Sequence, residues 1–205
     1  FWHPCDDSVE NVDRWGLSGA DEWTHANSLM YSRADDAYYI QPRFFDALVK
    51  FDRGSGEVLW QIGGEYGDFT KSDGDPAFTS VYQPQLWSHG HMSHIWEDGF
   101  MYYDNGNHRS PRQSKVSEYA YNTQTMTVEE VWSFTDGRFM SYLSDVRKLD
   151  NGNVFILSSP AAELSEVTQA GDVVWRATMP DDGVTFGRAS YIGDVYELTS
   201  SLLHP

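Results

Sequence analysis

Short runs of alternating apolar and polar residues, separated by turn residues, dominate this chain, whereas the three-to-four spacing of amphipathic helices is scarce. The run "NSLMYSRADDAYYIQPR" (27–43) is an apolar stretch, a polar turn and an aromatic stretch, the pattern of a hairpin. It returns in "HMSHIWEDGFMYYDNG" (91–106), turning at Glu97-Asp98-Gly99, and in "SDVRKLDNGNVFILSS" (144–159), turning at Asp150-Asn151-Gly152. Asn-Gly and Asp-Gly suit tight hairpins because both residues tolerate positive φ. Each of these segments is followed by a second hairpin ending in a Trp strand: "ALVKFDRGSGEVLWQIGG" (47–64), "SEYAYNTQTMTVEEVWSF" (117–134) and "SEVTQAGDVVWRATMP" (165–180). One unit is thus four short strands in up-and-down order. The pattern predicts an all-β fold, a β-propeller of four-stranded antiparallel blades with units at 25–64, 91–134 and 144–180. The Trp of each unit is expected in the layer between blades, and a sandwich of the same strands is the competing architecture.

Three units do not close a ring, since propellers typically have about 4–8 blades. Residues 1–16 and "FGRASYIGDVYEL" (186–198) read as parts of further blades, so that 1–205 is one propeller portion. The expectation is the C-terminal portion of a longer protein, or a chain that closes its ring with another chain, a homo-oligomer included. Segment 65–86, acidic and rich in Gly, Pro and Ser, reads as an inter-blade loop, either a lid or a plain surface excursion. "NHRSPRQ" (107–113) is a smaller loop carrying His108, Arg109 and Arg112.

Charge narrows the partners. With 31 acidic residues against 14 basic ones the formal net charge is −17, which argues against nucleic acid or an anionic membrane surface. No apolar run of about 18 residues is present to span a membrane. The single Cys5 has no partner within the chain for a disulfide.

Histidine is where chemistry is concentrated, since three of the seven lie in "WSHGHMSH" (87–94). Zinc would be held by such a cluster, but strand alternation puts His89 and His91 on one face and His94 on the other, and no His-Glu-x-x-His pattern occurs. No Gly-x-Ser-x-Gly elbow supports a Ser-His-Asp hydrolase. Asp104-Asn105-Gly106 lacks the oxygen-ligand spacing of a calcium loop and reads as a turn. No metal or cofactor is therefore expected. Inner strands of a propeller line its channel, so residues at their starts converge there. His25 and His91 open two units, with Asn27 beside the first and Arg43 at the end of the second strand. Such a cluster suits an oxyanion, because Arg presents a planar fork of donors and Asn adds a neutral one. The alternative is a set of satisfied strand-end histidines with Arg43 paired to Asp46.

"DEWTHANSLMYSRADDAYYIQPRFFDALVKFDRGSGEVLWQIGG" resembles the pattern of the bacterial-type arylsulfotransferases, the PAPS-independent arylsulfate sulfotransferases: Asp-x-x-His-x-Asn-Ser, a strand ending in Arg, then a Lys-x-Asp…Gly-x-x-x-Trp-x-x-Gly-Gly hairpin. "GHMSHIWEDGFMYYDNG…SKVSEY" and "VRKLDNGNVFILSSPAAELSEVTQAGDVVWRATMP" are similar to two further stretches of that family. The resemblance implies a six-bladed propeller that moves a sulfuryl group from a phenolic sulfate ester to another phenol through a sulfated histidine, in the periplasm or outside the cell. It places the nucleophile at His91, eight residues before Gly99. It puts the supporting groups at His25, Asn27 and Arg43, with Tyr191 and Ser144 as further channel-lining, substrate-binding candidates. Gly90 stands where the family has Gln, and Lys115 where it has Arg. A non-catalytic propeller that binds a ligand or partner is the alternative.

Overall fold

The structure is a computed structural model and describes residues 24–64, 67–74, 86–180 and 185–190. Almost every regular segment in it is a strand, and the strands form three antiparallel sheets in the meander order that hairpin-rich sequence favours. The first sheet runs β1 (Ala26–Ser32), β2 (Ala37–Pro42), β3 (Ala47–Asp52) and β4 (Val58–Gly63). The second holds β6 (His91–Trp96), β7 (Gly99–Asp104), β8 (Lys115–Asn122) and β9 (Thr127–Phe134), and the two-residue β5 (Thr70–Lys71) adds in parallel to β9. The third runs β10 (Asp145–Lys148), β11 (Val154–Ser158), β12 (Glu163–Val167) and β13 (Val173–Thr178).

The first strands of the sheets lie side by side, β6 touching both β1 and β10. This is the blade arrangement of a propeller, with three blades forming an open arc rather than a closed ring. Between the first and second sheets, Tyr39, Trp60 and Ile62 meet Phe100, Tyr102 and Tyr119. Between the second and third, Met101, Tyr103 and Val116 meet Val146, Val154 and Ile156. Successive side chains of a strand point to opposite faces, so β7 supplies Phe100 and Tyr102 to one layer and Met101 and Tyr103 to the other. That explains why "FMYY" is an unbroken apolar run: its sheet is covered on both sides.

The Trp of each unit behaves according to its neighbour. Trp60 is 6% exposed, packed on Phe69 and on Tyr121 of β8. Trp132 donates its indole N–H to Gln169 O at 3.0 Å, across to the third sheet. Trp175 departs from the expectation that it fills a layer. It is 47% exposed beside Val173 and Val174, because among the described residues no further sheet packs on that face.

Candidate active site

Tight local geometry brings the site together where the first strands begin. A single-turn 3-10 helix, Arg43–Phe45, follows β2 directly, so Arg43 opens this turn rather than closing the strand as the sequence suggested. Its backbone N–H donates to His25 O at 3.1 Å, tying the entrance of β1 to the turn. Bulges interrupt β1 between Ala26 and Ser28, and β6 between His91 and Ser93. A bulge re-aims the side chains beside it, and bulges are enriched next to active sites. Asn27 occupies the first bulge, and its Nδ2 donates to Gly90 O at 3.1 Å, locking it to the residue before His91.

His91 is 7% exposed, and its Nδ1 lies 2.8 Å from Ser144 O. A carbonyl only accepts, so Nδ1 carries the proton and the lone pair is on Nε2. Burial lowers its pKa from the ordinary histidine value to about 4, opposed by the Ser144 hydrogen bond and assisted by the charges of Arg43, His25 and Arg188. The imidazole is therefore neutral at neutral pH. The Arg43 and Arg188 guanidiniums near it supply positive potential.

Arg43 is 6% exposed, with Nη2 donating to Ser141 O at 3.1 Å and lying 3.5 Å from His89 Nδ1. Burial lowers its pKa, and the nearby Asp46 carboxylate counters that. Asp46 is not simply a mate for Arg43, since its Oδ1 also accepts the backbone N–H of His89. The ring of His25 packs on Phe44 at 5.1 Å between centroids. Of the residues singled out from sequence, His25, Asn27, Arg43 and His91 thus share one neighbourhood. Ser144 meets it through its carbonyl, while its hydroxyl accepts from Ser159 N at 3.1 Å. Tyr191 and Cys5 lie outside the described residues.

Strand alternation does not govern His89. It precedes β6 at φ 52, outside the pleat, and reaches Arg43 by a turn rather than by sharing a strand face with His91. His94 is a bridge between sheets, with its Nδ1 accepting Lys148 N–H at 3.1 Å. Asp104 is a fully buried turn anchor that accepts from Ser88 N and Gly106 N and pairs with Arg109. Gly90 has a steric reason: a Cβ there would sit 1.6 Å from the Tyr102 ring. Lys115 pairs with Glu130. Asn107, Ser141 and Arg188 were not selected from sequence. Asn107 and Arg43 act as co-donors on one carbonyl, that of Ser141, which only three-dimensional packing shows.

An arylsulfotransferase (ASST) family model matches residues 7–183. No curated protein matches the chain. Among solved structures it is similar to a protein of unknown function from Bacteroides caccae, at 14% identity and a TM-score of 0.45, over 75% of this chain and 46% of that one. A streptogramin B lyase matches at 9% identity and a TM-score of 0.43, over 82% of this chain and 45% of that one. The virginiamycin B lyase from Staphylococcus aureus matches at 10% identity and 0.45, over 81% of this chain and 59% of that one. The chain thus spans roughly half the length of these structures, 46%, 45% and 59%.

Proposed function

The chain belongs to the arylsulfotransferase family, and from that premise we propose that it transfers a sulfuryl group from an aryl sulfate ester to a phenolic acceptor, through a sulfated His91. The observation that carries this reading is the 2.8 Å contact of His91 Nδ1 with Ser144 O, which leaves a neutral Nε2 lone pair inside a cationic site.

In the first half-reaction Nε2 attacks sulfur, the S–O bond to the aryl group breaks, and the aryloxide leaves and takes up a proton. In the second, the phenol oxygen of the acceptor attacks the same sulfur and loses its proton, and the S–N bond breaks, returning the pair to Nε2. Arg43 and Asn27 hold the sulfuryl oxygens, and His25 protonates the departing aryloxide or balances charge on those oxygens. Donors already fixed by the fold reorganise little as charge develops, as in phosphoryl transfer. The Ser144 carbonyl sets the ring of His91. The reaction needs no metal or cofactor, and its site is periplasmic or extracellular.

The test is an assay of the full-length protein with an aryl sulfate and a phenol, with and without His91→Ala. Wild-type transfer, an intact mass raised by one SO3 group when donor alone is present, and neither in the variant are expected. Transfer by the variant at the wild-type rate would refute the assignment.

A further inference from the structure

Two buried or half-buried imidazoles stand next to the site without a place in the chemistry above. His89 is 1% exposed, and its Nε2 lies 3.0 Å from Nε2 of His108, with the two rings perpendicular. Its other nitrogen, Nδ1, faces Nη2 of Arg43 at 3.5 Å. The backbone at His89 holds φ 52, in the left-handed region that side chains disfavour, and Asp46 Oδ1 accepts its N–H. His108 reaches the pair from the loop after β7, with its own N–H donated to Ser88 Oγ at 3.1 Å.

Hydrogen-bond chemistry gives this row a direction. A guanidinium has donors only, so Nδ1 of His89 presents its lone pair to Arg43. A neutral His89 then carries its proton on Nε2 and donates it to His108. His108 accepts on Nε2 and keeps its own proton on Nδ1. If His108 could not accept, the Nε2–H of His89 would have no acceptor at that end, and only the Arg43 donor would still oppose the tautomer that turns an N–H toward the guanidinium.

We propose that His89 and His108 are positioning residues for sulfuryl transfer: Arg43 as donor and His108 as acceptor together hold His89 in one tautomer, and His89 together with the Ser141 carbonyl fixes the fork of Arg43. This rests on the transferase reading for its consequence, not for its geometry. Removing the hydrogen bonds that orient metal-ligating side chains typically costs about 10–100-fold in affinity or activity, and the lower end of that scale is expected for partners that orient Arg43.

The experiment uses the full-length protein and two variants, His108→Phe, which fills the space without accepting, and His108→Gln, whose side-chain oxygen accepts. Nitrogen-15 NMR of the histidine rings should show His89 protonated on Nε2 in wild type and in His108→Gln, with the Nδ1-protonated tautomer rising to a measurable share in His108→Phe. With an aryl sulfate and a phenol, His108→Phe should lose about tenfold in kcat with KM little changed, and His108→Gln should recover most of it. A merely structural role would not separate two variants that fold alike by circular dichroism. Wild-type His89 protonated on Nδ1, or equal kcat in both variants, overturns the proposal. If wild type transfers no sulfuryl group, the transferase reading fails, and the tautomer measurement still decides the pair.

Discussion

His91 has two nitrogens in different environments, and that asymmetry is what a nucleophile requires. The Ser144 carbonyl accepts the Nδ1–H, and burial keeps the ring neutral down to about pH 4. The acid limb of the kcat/KM profile assigned to this group is therefore expected near pH 4, not near the ordinary histidine pKa. An acid limb near neutrality that persists when the other histidines of the site are substituted would contradict it. The same shift links to stability. Because the folded-state pKa is depressed, the unfolded chain binds the proton first, so stability present above the ordinary pKa is lost as pH falls toward about 4. The loss is on the order of 3 kcal/mol. Asp35 acts in the same sense at lower pH. Burial raises its pKa, but hydrogen bonds from Lys50, Ser32 and Tyr39 bring it to about 2. Gly90 was legible in sequence only as a departure from the family's Gln. Its reason is the Tyr102 ring, which stacks on Trp87 at 4.2 Å. Gly90→Gln is expected to displace Tyr102 and lower the thermal midpoint, whatever it does to activity.

At the scale of elements, hairpins were readable and their junctions were not. Turns such as Asp150-Asn151-Gly152 announce themselves because Gly152 must hold φ 84, and the sequence spells the residue that tolerates it. The 3-10 turns after β2 and β11 end on Asp46 and Ala162 at positive φ, residues that carry no such signal. Nor did periodicity reveal the bulges at Asn27 and before Ser93, since a bulge is the point where period two fails. For this reason the candidate site could be assembled from sequence by its residue types, while its orientation could not. Phe100 is fully buried in the layer between the first and second sheets. Phe100→Ala is expected to cost about 3–5 kcal/mol in a denaturant-unfolding measurement, by lost transfer energy and the cavity left behind. A cost below about 1 kcal/mol would mean that the layer is not packed as described.

For the whole molecule, charge and apolar surface oppose each other. A net charge of −17 makes the folded chain repel itself, and screening relieves that repulsion. The thermal midpoint is expected to rise as sodium chloride is added from low ionic strength. A flat or falling response would show that the stabilising ion pairs, such as Lys148–Glu118 across two sheets, outweigh the repulsion. Alternation of apolar residues, turn residues and the repeated Trp hairpin were sufficient by themselves to determine an all-β chain of blade-like sheets. That information is local, encoded within a few residues of where it acts. The residue types of the proposed site were also legible, through the resemblance that His25, Asn27, Arg43 and His91 carry. Only tertiary structure decided that Ser144 lends a carbonyl, that His89 and His108 stand behind Arg43, and that Trp175 stays exposed. Those outcomes depend on which distant backbone group or sheet comes to lie opposite each side chain, and such proximity across the fold is set by packing between sheets.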